Sequence, residues 1–592
     1  MKTLKLLYAF ITRQLRDRVQ RVQYILIVAT LTGLISGLVA VLLKMMVHYL
    51  QVTISTIPVS KIAFLLFPTT GLILTVFIIR HFYGGHIERG IPMVLKSIAR
   101  KFSVIPLSHT YKHVTTSAIT VGLGGSVGLE APIVATGSAI GSNVARVSEL
   151  QNRERTLLIG CGAAAGIAAV FNAPIAGVIF AMEILLTGSV VSYFIPLILS
   201  AVTGALCSAI ILKESFMFNF TLAENFNYHN VPFYILLGIL TGFVSLYYAR
   251  TFKRVEHFMV QRSLNPYLRA LYGGLLLMGI YILLPSLFGE GYDHILRLSG
   301  NTESYRIADN TRFFSVFTEE WAMIIFTGLV VLLKPIAAGI TIGSGGNGGN
   351  FAPSLFTGAF LGFFFSRLIS STGWFRLPDS NFSLVAMAGV LSGVMYCPLT
   401  AIFLIAEITN GYGLFIPLMI VSSMSFFIVK HYEPFSMELK QLAMSGEVFT
   451  HRKDQNVLSS IRILELLEED RNVVDADVPV QSVRHNLMSQ SLPVIAVADA
   501  GEKFLGIIEL KMVEQQPDST LARDIVQEVG ADDIIFDDET TESIIRKFDV
   551  SKKWYLPVVN RKRKFIGFIS QNKLFRKYRD IISEESDLYD IT

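Results

Sequence analysis

Between Gly122 and Ser142 the chain reads GLGGSVGLEAPIVATGSAIGS, a stretch deep in apolar sequence that carries one carboxylate, Glu130. Gly124, Gly125 and Gly128 precede the acid and Pro132 follows it. Proline suits the first turn of a helix, where its missing N–H costs nothing. The spacing predicts a loop ending near Glu130 and a helix beginning at Ala131 or Pro132. Gly137 and Gly141 stand four apart, so a second helix can approach closely. A helix starting inside a membrane turns unpaired N–H groups and a positive dipole end inward, which favours an anion. Such a break is tolerated only where it is buried or lines a wet cavity. As a structural acid Glu130 would only bond backbone amides at the helix start. A charge at mid-bilayer costs about 2.5–3.5 kcal/mol or more, so a functional role is the default.

The surrounding composition makes the membrane reading firm. Of 592 residues, 52% are hydrophobic and only 16% charged, too few charges for a soluble protein of this size. The net charge of +5 carries no nucleic-acid signal, because the basic residues gather in the N-terminal stretch and the polar tail. Cys161, Cys207 and Cys397 all sit in apolar runs and read as small core residues.

Residues 1–22 are basic and amphipathic, with Lys2, Lys5, Arg13, Arg16, Arg18 and Arg21 among Leu, Tyr, Phe and Ile. They predict an interfacial helix on the cytoplasmic side. Tyr24 to Leu50 and Ile62 to Ile79 are long enough to span a bilayer. Further apolar segments lie near 131–148, 156–186, 190–212, 231–250, 268–288, 320–340, 352–370, 382–408 and 413–430, several of them too short or too glycine-rich for simple spans. Gly90-Ile91-Pro92, after Glu88 and Arg89, again looks like a loop turning into a helix.

An internal repeat runs through this region. Pro132 is followed by Gly137 and Gly141, and Pro353 by Gly358 and Gly362 at the same offsets. FNAPIAGVIFAMEI and MYCPLTAIFLIAEI are counterparts, with Glu183 nine positions after Pro174 and Glu407 nine after Pro398. GSVGLEAP and GGNGGNFAP correspond likewise. Interrupted segments in matching halves point to a transporter's binding site. Glu183 and Glu407 read as structural acids at polar helix ends.

Past about Lys430 the long apolar runs stop. Leu492-Pro493-Val494 opens an apolar strand, Asp499 to Lys503 turns, and Phe504 to Ile508 is a second strand. Leu556-Pro557-Val558, Asn560 to Lys564 and Phe565 to Ile569 repeat the pattern, and Val480 to Ser489 and Thr540 to Val550 are the upstream helices. This is a tandem α/β module.

Together these residues resemble the CLC family of chloride channels and proton-coupled chloride exchangers over nearly the whole chain, with a tandem CBS pair as the tail. Gly90-Ile91-Pro92 matches the end of the family's GSGIP motif, Gly128-Leu129-Glu130-Ala131-Pro132 its GREGP, and Gly349-Asn350-Phe351-Ala352-Pro353 its GIFAP. The resemblance implies an all-α polytopic membrane domain with an inverted internal repeat and broken helices, followed by the α/β CBS pair. The domains expected are a cytoplasmic or interfacial helix at 1–22, the anion-transport domain at 23–435, a linker at 436–455, CBS units at 456–520 and 521–580, and a tail at 581–592. The resemblance also implies a homodimer in the cell membrane, one chloride pathway per subunit, and both the N-terminus and the tail in the cytoplasm. Glu130 is then the gating glutamate. The pathway is carried over to Arg89, Gly90, Ile91, Pro92, Gly128, Leu129, Ala131, Gly349, Asn350, Phe351 and Ala352.

The departures bear on mechanism. Arg89 stands where the family has an anion-binding serine; it either adds to the field at a helix start, or pairs with Glu88 or snorkels to the interface. Glu183 matches the first acid of the exchangers' internal pair, but Ile184 replaces the second, the internal proton relay. Met437 or Glu438 takes the place of the central tyrosine. In the tail, Asn572 and Lys511 or Met512 replace the acid that usually holds a nucleotide ribose, which argues against an adenine nucleotide there. The expectation is therefore passive, channel-like chloride conduction, with a proton/chloride antiporter as the alternative. A CBS-linked divalent cation transporter would need several membrane-embedded acids on one path, where the sequence offers one central acid. An enzyme would need a nucleophile–base pair or metal-ligand spacing that the sequence does not display; no cofactor, metal or nucleic acid is expected.

Overall fold

The structure, a computed structural model, describes residues 19–57, 64–85, 87–88, 90–100, 103–186, 194–212, 226–261, 264–299, 319–409, 411–440, 463, 466–470, 472–489, 492–500, 503–514, 516–539 and 541–577. Two compact units divide at Val448/Phe449, within the expected 436–455 linker. The expected interfacial helix lies almost wholly outside the described residues.

In the first unit, α1 (Arg21–Thr56) has 36 residues. At 1.5 Å per residue it measures roughly 54 Å, so it crosses a hydrocarbon core of about 30 Å at a tilt or overshoots it. There follow α2 (Phe67–Phe82), α3 (Gly90–Arg100), α4 (His109–Gly122), α5 (Glu130–Val147), α6 (Asn152–Phe171), the short α7 (Pro174–Phe180) with a π turn at Ala181–Leu185, and α8 (Phe194–Leu212). The second half holds α9 (Val231–Gln261), α10 (Pro266–Leu283), the short α11 (Tyr292–Ser299), α12 (Glu319–Gly343), α13 (Phe351–Ser370), α14 (Asp379–Met395), α15 (Pro398–Ile408) and α16 (Phe415–Tyr432). Eight helices among the described residues are long and apolar enough to cross a membrane. The chain is a multi-pass membrane protein.

Two apolar runs that look continuous in the sequence are broken. The 156–186 run stops at Asn172 (φ 52°) and the 382–408 run at Tyr396 (φ 61°), each in the left-handed conformation. Each is followed two residues later by a proline that starts the next helix. The breaks occupy matching places in the two halves, so the repeat governs backbone as well as composition.

Close packing explains the paired glycines. A Cβ on Gly137 would lie 2.2 Å from the Gly162 carbonyl oxygen, and one on Gly141 1.9 Å from that of Leu158. In the second half, Gly358 and Gly362 meet the carbonyls of Ala386 and Phe382 in the same manner. Hence α5 lies on α6, and α13 on α14, backbone against backbone. This is the close approach that small residues permit in a membrane.

The second unit contains two three-stranded sheets of one topology. In the first, β1 (Val473–Asp475) runs parallel to β2 (Val494–Ala498), which pairs antiparallel with β3 (Phe504–Glu509). The second repeats this as β4 (Ile535–Phe536), β5 (Tyr555–Val559) and β6 (Phe565–Ser570). Helices α17 (Val480–Ser489) and α18 (Thr541–Ser551) fall where the sequence places them. The short parallel strands β1 and β4 are additions that the sequence reading misses.

The expected boundaries 456–520 and 521–580 are not where the structure divides. Ile463 and Leu466 join the core of the second sheet, and the Glu468 N–H donates to the Phe568 carbonyl. Ala522, Ile525 and Val526 instead pack on the first sheet, where the Ala522 N–H donates to the Val478 carbonyl. Each unit borrows the chain on its far side, because a three-stranded sheet leaves an apolar face that a neighbouring segment must cover.

Candidate functional site

Glu130 is the first residue of α5, one position earlier than the glycine–proline spacing suggests. It is 1% exposed. The Tyr292 hydroxyl, from the start of α11, donates to its Oε1 at 2.5 Å. The Ala352 N–H in the first turn of α13 points at Oε2 from 3.4 Å. The carboxylate thus sits between the N-terminal ends of two repeat-related helices, where both dipoles favour a negative charge. A small anion seeking the same amides has to displace it.

The two loops are tied directly. The Gly128 N–H donates to the Gly349 carbonyl at 2.9 Å, and the Gly349 N–H returns a bond to Gly128 at 2.8 Å, an antiparallel bridge between equivalent residues. Reciprocal bonds between matching positions are what a local two-fold produces, and the sequence alone could not give that orientation. Gly128 admits no side chain. An added Cβ would lie 2.1 Å from Glu130 Oε2 and 2.8 Å from the Ala352 Cβ.

The third helix start joins the same place. A Cβ on Gly90, at the head of α3, would lie 3.2 Å from the Ala131 Cβ, and one on Gly349 only 2.6 Å from it. Ile91, Leu129, Asn350, Phe351 and Ala352 are buried, while Pro92 and Ala131 are half-buried. The structure therefore brings together every expected pathway residue except Arg89, which lies outside the described residues.

Besides Tyr292, three residues that the sequence reading passed over, Tyr248, Lys334 and Glu290, complete the surroundings. Tyr248 of α9, fully buried, donates its hydroxyl to Asn350 Oδ1 at 3.1 Å. Glu438 lies within electrostatic reach of that tyrosine and Met437 is buried, so the segment expected to replace the central tyrosine packs near a tyrosine from another helix. Lys334, in the middle of α12, is 0% exposed and donates to Ser126 Oγ at 2.8 Å and the Gly289 carbonyl at 3.2 Å. Its ammonium also lies 4.5 Å from the centre of the Phe356 ring, a cation–π contact. Glu290 faces Glu130. The central region thus holds two acids, where the sequence reading counted one. A lone lysine in the run IIFTGLVVLLKPIAAGI was the available signal, since an intramembrane charge implies function by default.

Glu183 and Glu407 lie away from this centre. The Glu183 carboxylate accepts the N–H groups of Leu399 and Thr400 at 3.1 and 2.9 Å and the Thr400 hydroxyl at 2.7 Å. Glu407 accepts those of Ile175 and Ala176 at 3.0 and 2.8 Å. Both hold helix starts, the structural role expected for them.

Comparison with known proteins places the chain in a family. Residues 70–430 match the family model described as "Voltage gated chloride channel". The H(+)/Cl(-) exchange transporter ClcA of Cronobacter sakazakii is 28% identical over 439 residues, covering 70% of this chain and 88% of the relative. The voltage-gated ClC-type chloride channel ClcB of Escherichia coli O9:H4 is 27% identical over 319 residues, covering 52% and 71%. In fold, the chain is similar to the crystal structure of a eukaryotic CLC transporter, with a TM-score of 0.60 at 17% identity, over 93% of this chain and 97% of that one.

Proposed function

This chain belongs to the voltage gated chloride channel family, whose members carry anions across membranes, and we propose that it conducts chloride passively through a Glu130-gated pathway in each subunit of a homodimer. The observation that carries this reading is the seat of Glu130. Its carboxylate holds the Tyr292 hydroxyl and faces the Ala352 amide, a position an anion would occupy in its place. Passive conduction rests on Ile184, which has no proton to give, and on Glu183, whose carboxylate is engaged at the start of α15. The alternative is proton/chloride antiport, the activity for which the Cronobacter relative is named.

The pathway residues of this reading are Arg89, Gly90, Ile91, Pro92, Gly128, Leu129, Ala131, Gly349, Asn350, Phe351 and Ala352. The N-terminus and tail are cytoplasmic in this reading. The tail, built as a CBS pair, binds adenine nucleotides weakly at most, because Asn572 and Lys511 or Met512 stand where a ribose acid would. Arg89→Ser, which restores the family residue, should change anion affinity and raise flux.

The test is chloride efflux from liposomes. Glu130→Gln should remove most of the pH dependence and alter the rate. Unchanged efflux and pH response would remove Glu130 from the gate.

A further inference from the structure

Glu290 precedes Tyr292 by two residues and lies in the turn between a short 3-10 segment at Pro285–Leu287 and α11. The Leu129 N–H donates to its carboxylate. Its Oε1 is enclosed by protein and has no hydrogen-bond partner. Four charged or titratable groups face this acid or its neighbour. Glu130 comes from the head of α5, Tyr292 from α11, Lys334 from α12 and Lys44 from α1. Lys44 is half-buried, whereas Lys334 is fully enclosed. The Lys334 ammonium spends its hydrogen bonds on Ser126 and the Gly289 carbonyl, so it compensates the acids only through space.

The charge count is then informative. Of the two ammonium groups, Lys44 is half-buried and shares its charge with solvent, so within the enclosed region two ionised carboxylates stand against Lys334 alone and leave one excess negative charge in low-dielectric surroundings. A single proton cancels it, and either carboxylate can hold that proton. Two carboxyl groups sharing one site cannot both ionise freely. We propose that Glu290 is a second protonatable group of the gate, holding in exchange with Glu130 the one proton that neutralises this pocket. The step is an O–H bond broken on one carboxyl and formed on the other, with no change in total charge. With the proton on Glu290, the Glu130 carboxylate is ionised and keeps its place against the Ala352 amide. With the proton on Glu130, that acid loses its claim on the amide and an anion can enter, while Glu290 stays ionised beside Lys334.

This inference rests on the reading of Glu130 as the gate, and one set of measurements separates the two. Chloride efflux is recorded against pH for the full-length chain in liposomes. Wild type should open over a broad range, because coupled acids release protons in two steps that belong to the pair. Glu290→Gln keeps an acceptor for the Leu129 N–H and removes only the charge. It should narrow the profile to a single step, displaced toward acid by about one pH unit or more. Lys334→Gln should displace it toward alkaline pH. In the Glu130→Gln background, adding Glu290→Gln should change nothing further. Full pH dependence in Glu130→Gln overturns the gate reading and this inference with it. A flattened profile in Glu130→Gln, with a wild-type profile in Glu290→Gln, overturns this inference alone. If Glu290→Gln does not yield monodisperse protein, Lys334→Gln decides: an alkaline displacement supports the shared proton, and an unmoved midpoint refutes it.

Discussion

Glu183 and Glu407 cap each other's helices. Each acid lies at the end of the helix begun by its own half's proline, and each accepts two backbone N–H groups from the first turn of the other half's helix. The reciprocity requires α7 with its π turn to run antiparallel to α15. A carboxylate at a helix start satisfies orphan donors and complements the dipole. Because each acid accepts two amides from the other half's helix, Glu183→Ala and Glu407→Ala should each destabilise the protein by about 1–3 kcal/mol, with Glu183→Ala the larger because it also loses the Thr400 hydroxyl. Thermal unfolding in detergent measures this. A large loss for one and none for the other would contradict the exchange.

The same bonds bear on proton movement. Glu183 is held by three donors, and Ile184, the next residue in the same π turn, carries no proton. A chloride gradient should therefore drive no uphill proton transport in proteoliposomes. Reversal potentials that move with the proton gradient at a fixed stoichiometry would replace the channel reading with the antiporter.

Gly128 should be intolerant of any side chain. Its missing Cβ is the space in which Glu130 Oε2 sits, and the Ala352 methyl closes the other side. Gly128→Ala should expel the carboxylate and bring the pH dependence of efflux close to that of Glu130→Gln, while straining the Gly128–Gly349 bridge. A wild-type pH profile in this variant would mean that the seat relaxes without moving the acid.

At the end of α16, outside the spanning segments, Glu433 joins two cations. It accepts Arg250 Nε at 3.0 Å and Lys440 Nζ at 2.6 Å. Burial alone would raise its pKa, but the bonds and charges of Lys440 and Arg250 prevail and hold it below the ordinary carboxylate value. A depressed native pKa stabilises the fold above the unfolded value, near 4.3, and the benefit disappears as pH falls through the native pKa. Both cations are about half exposed, so solvent limits the pair to about 0.5–1 kcal/mol. Glu433→Gln should lower stability by this amount at pH 7, and the difference from wild type should close on acidification below about pH 4. A difference that persists in acid would assign the effect to packing.

The sequence by itself determined the membrane class, the repeat and the family. Each depends on local chemistry that survives without coordinates: apolar length, the position of prolines, and the offsets of Gly137 and Gly141 from Pro132 and of Gly358 and Gly362 from Pro353. It also singled out Glu130 as a candidate, since a carboxylate among glycines and a proline in apolar sequence is costly unless the fold employs it. The tail's repeated strands were legible from their turns, but the segments that cross between its sheets were not, because covering a sheet face depends on what lies nearby in space. Tertiary structure alone decided that Gly128 and Gly349 exchange bonds, that Glu183 and Glu407 cap each other, and that Tyr292, Glu290 and Lys334 gather around the Glu130 region. Glu130 and Tyr292 are 162 positions apart in sequence. No periodicity or spacing relates residues that meet only when two antiparallel halves bring their helix starts to one place.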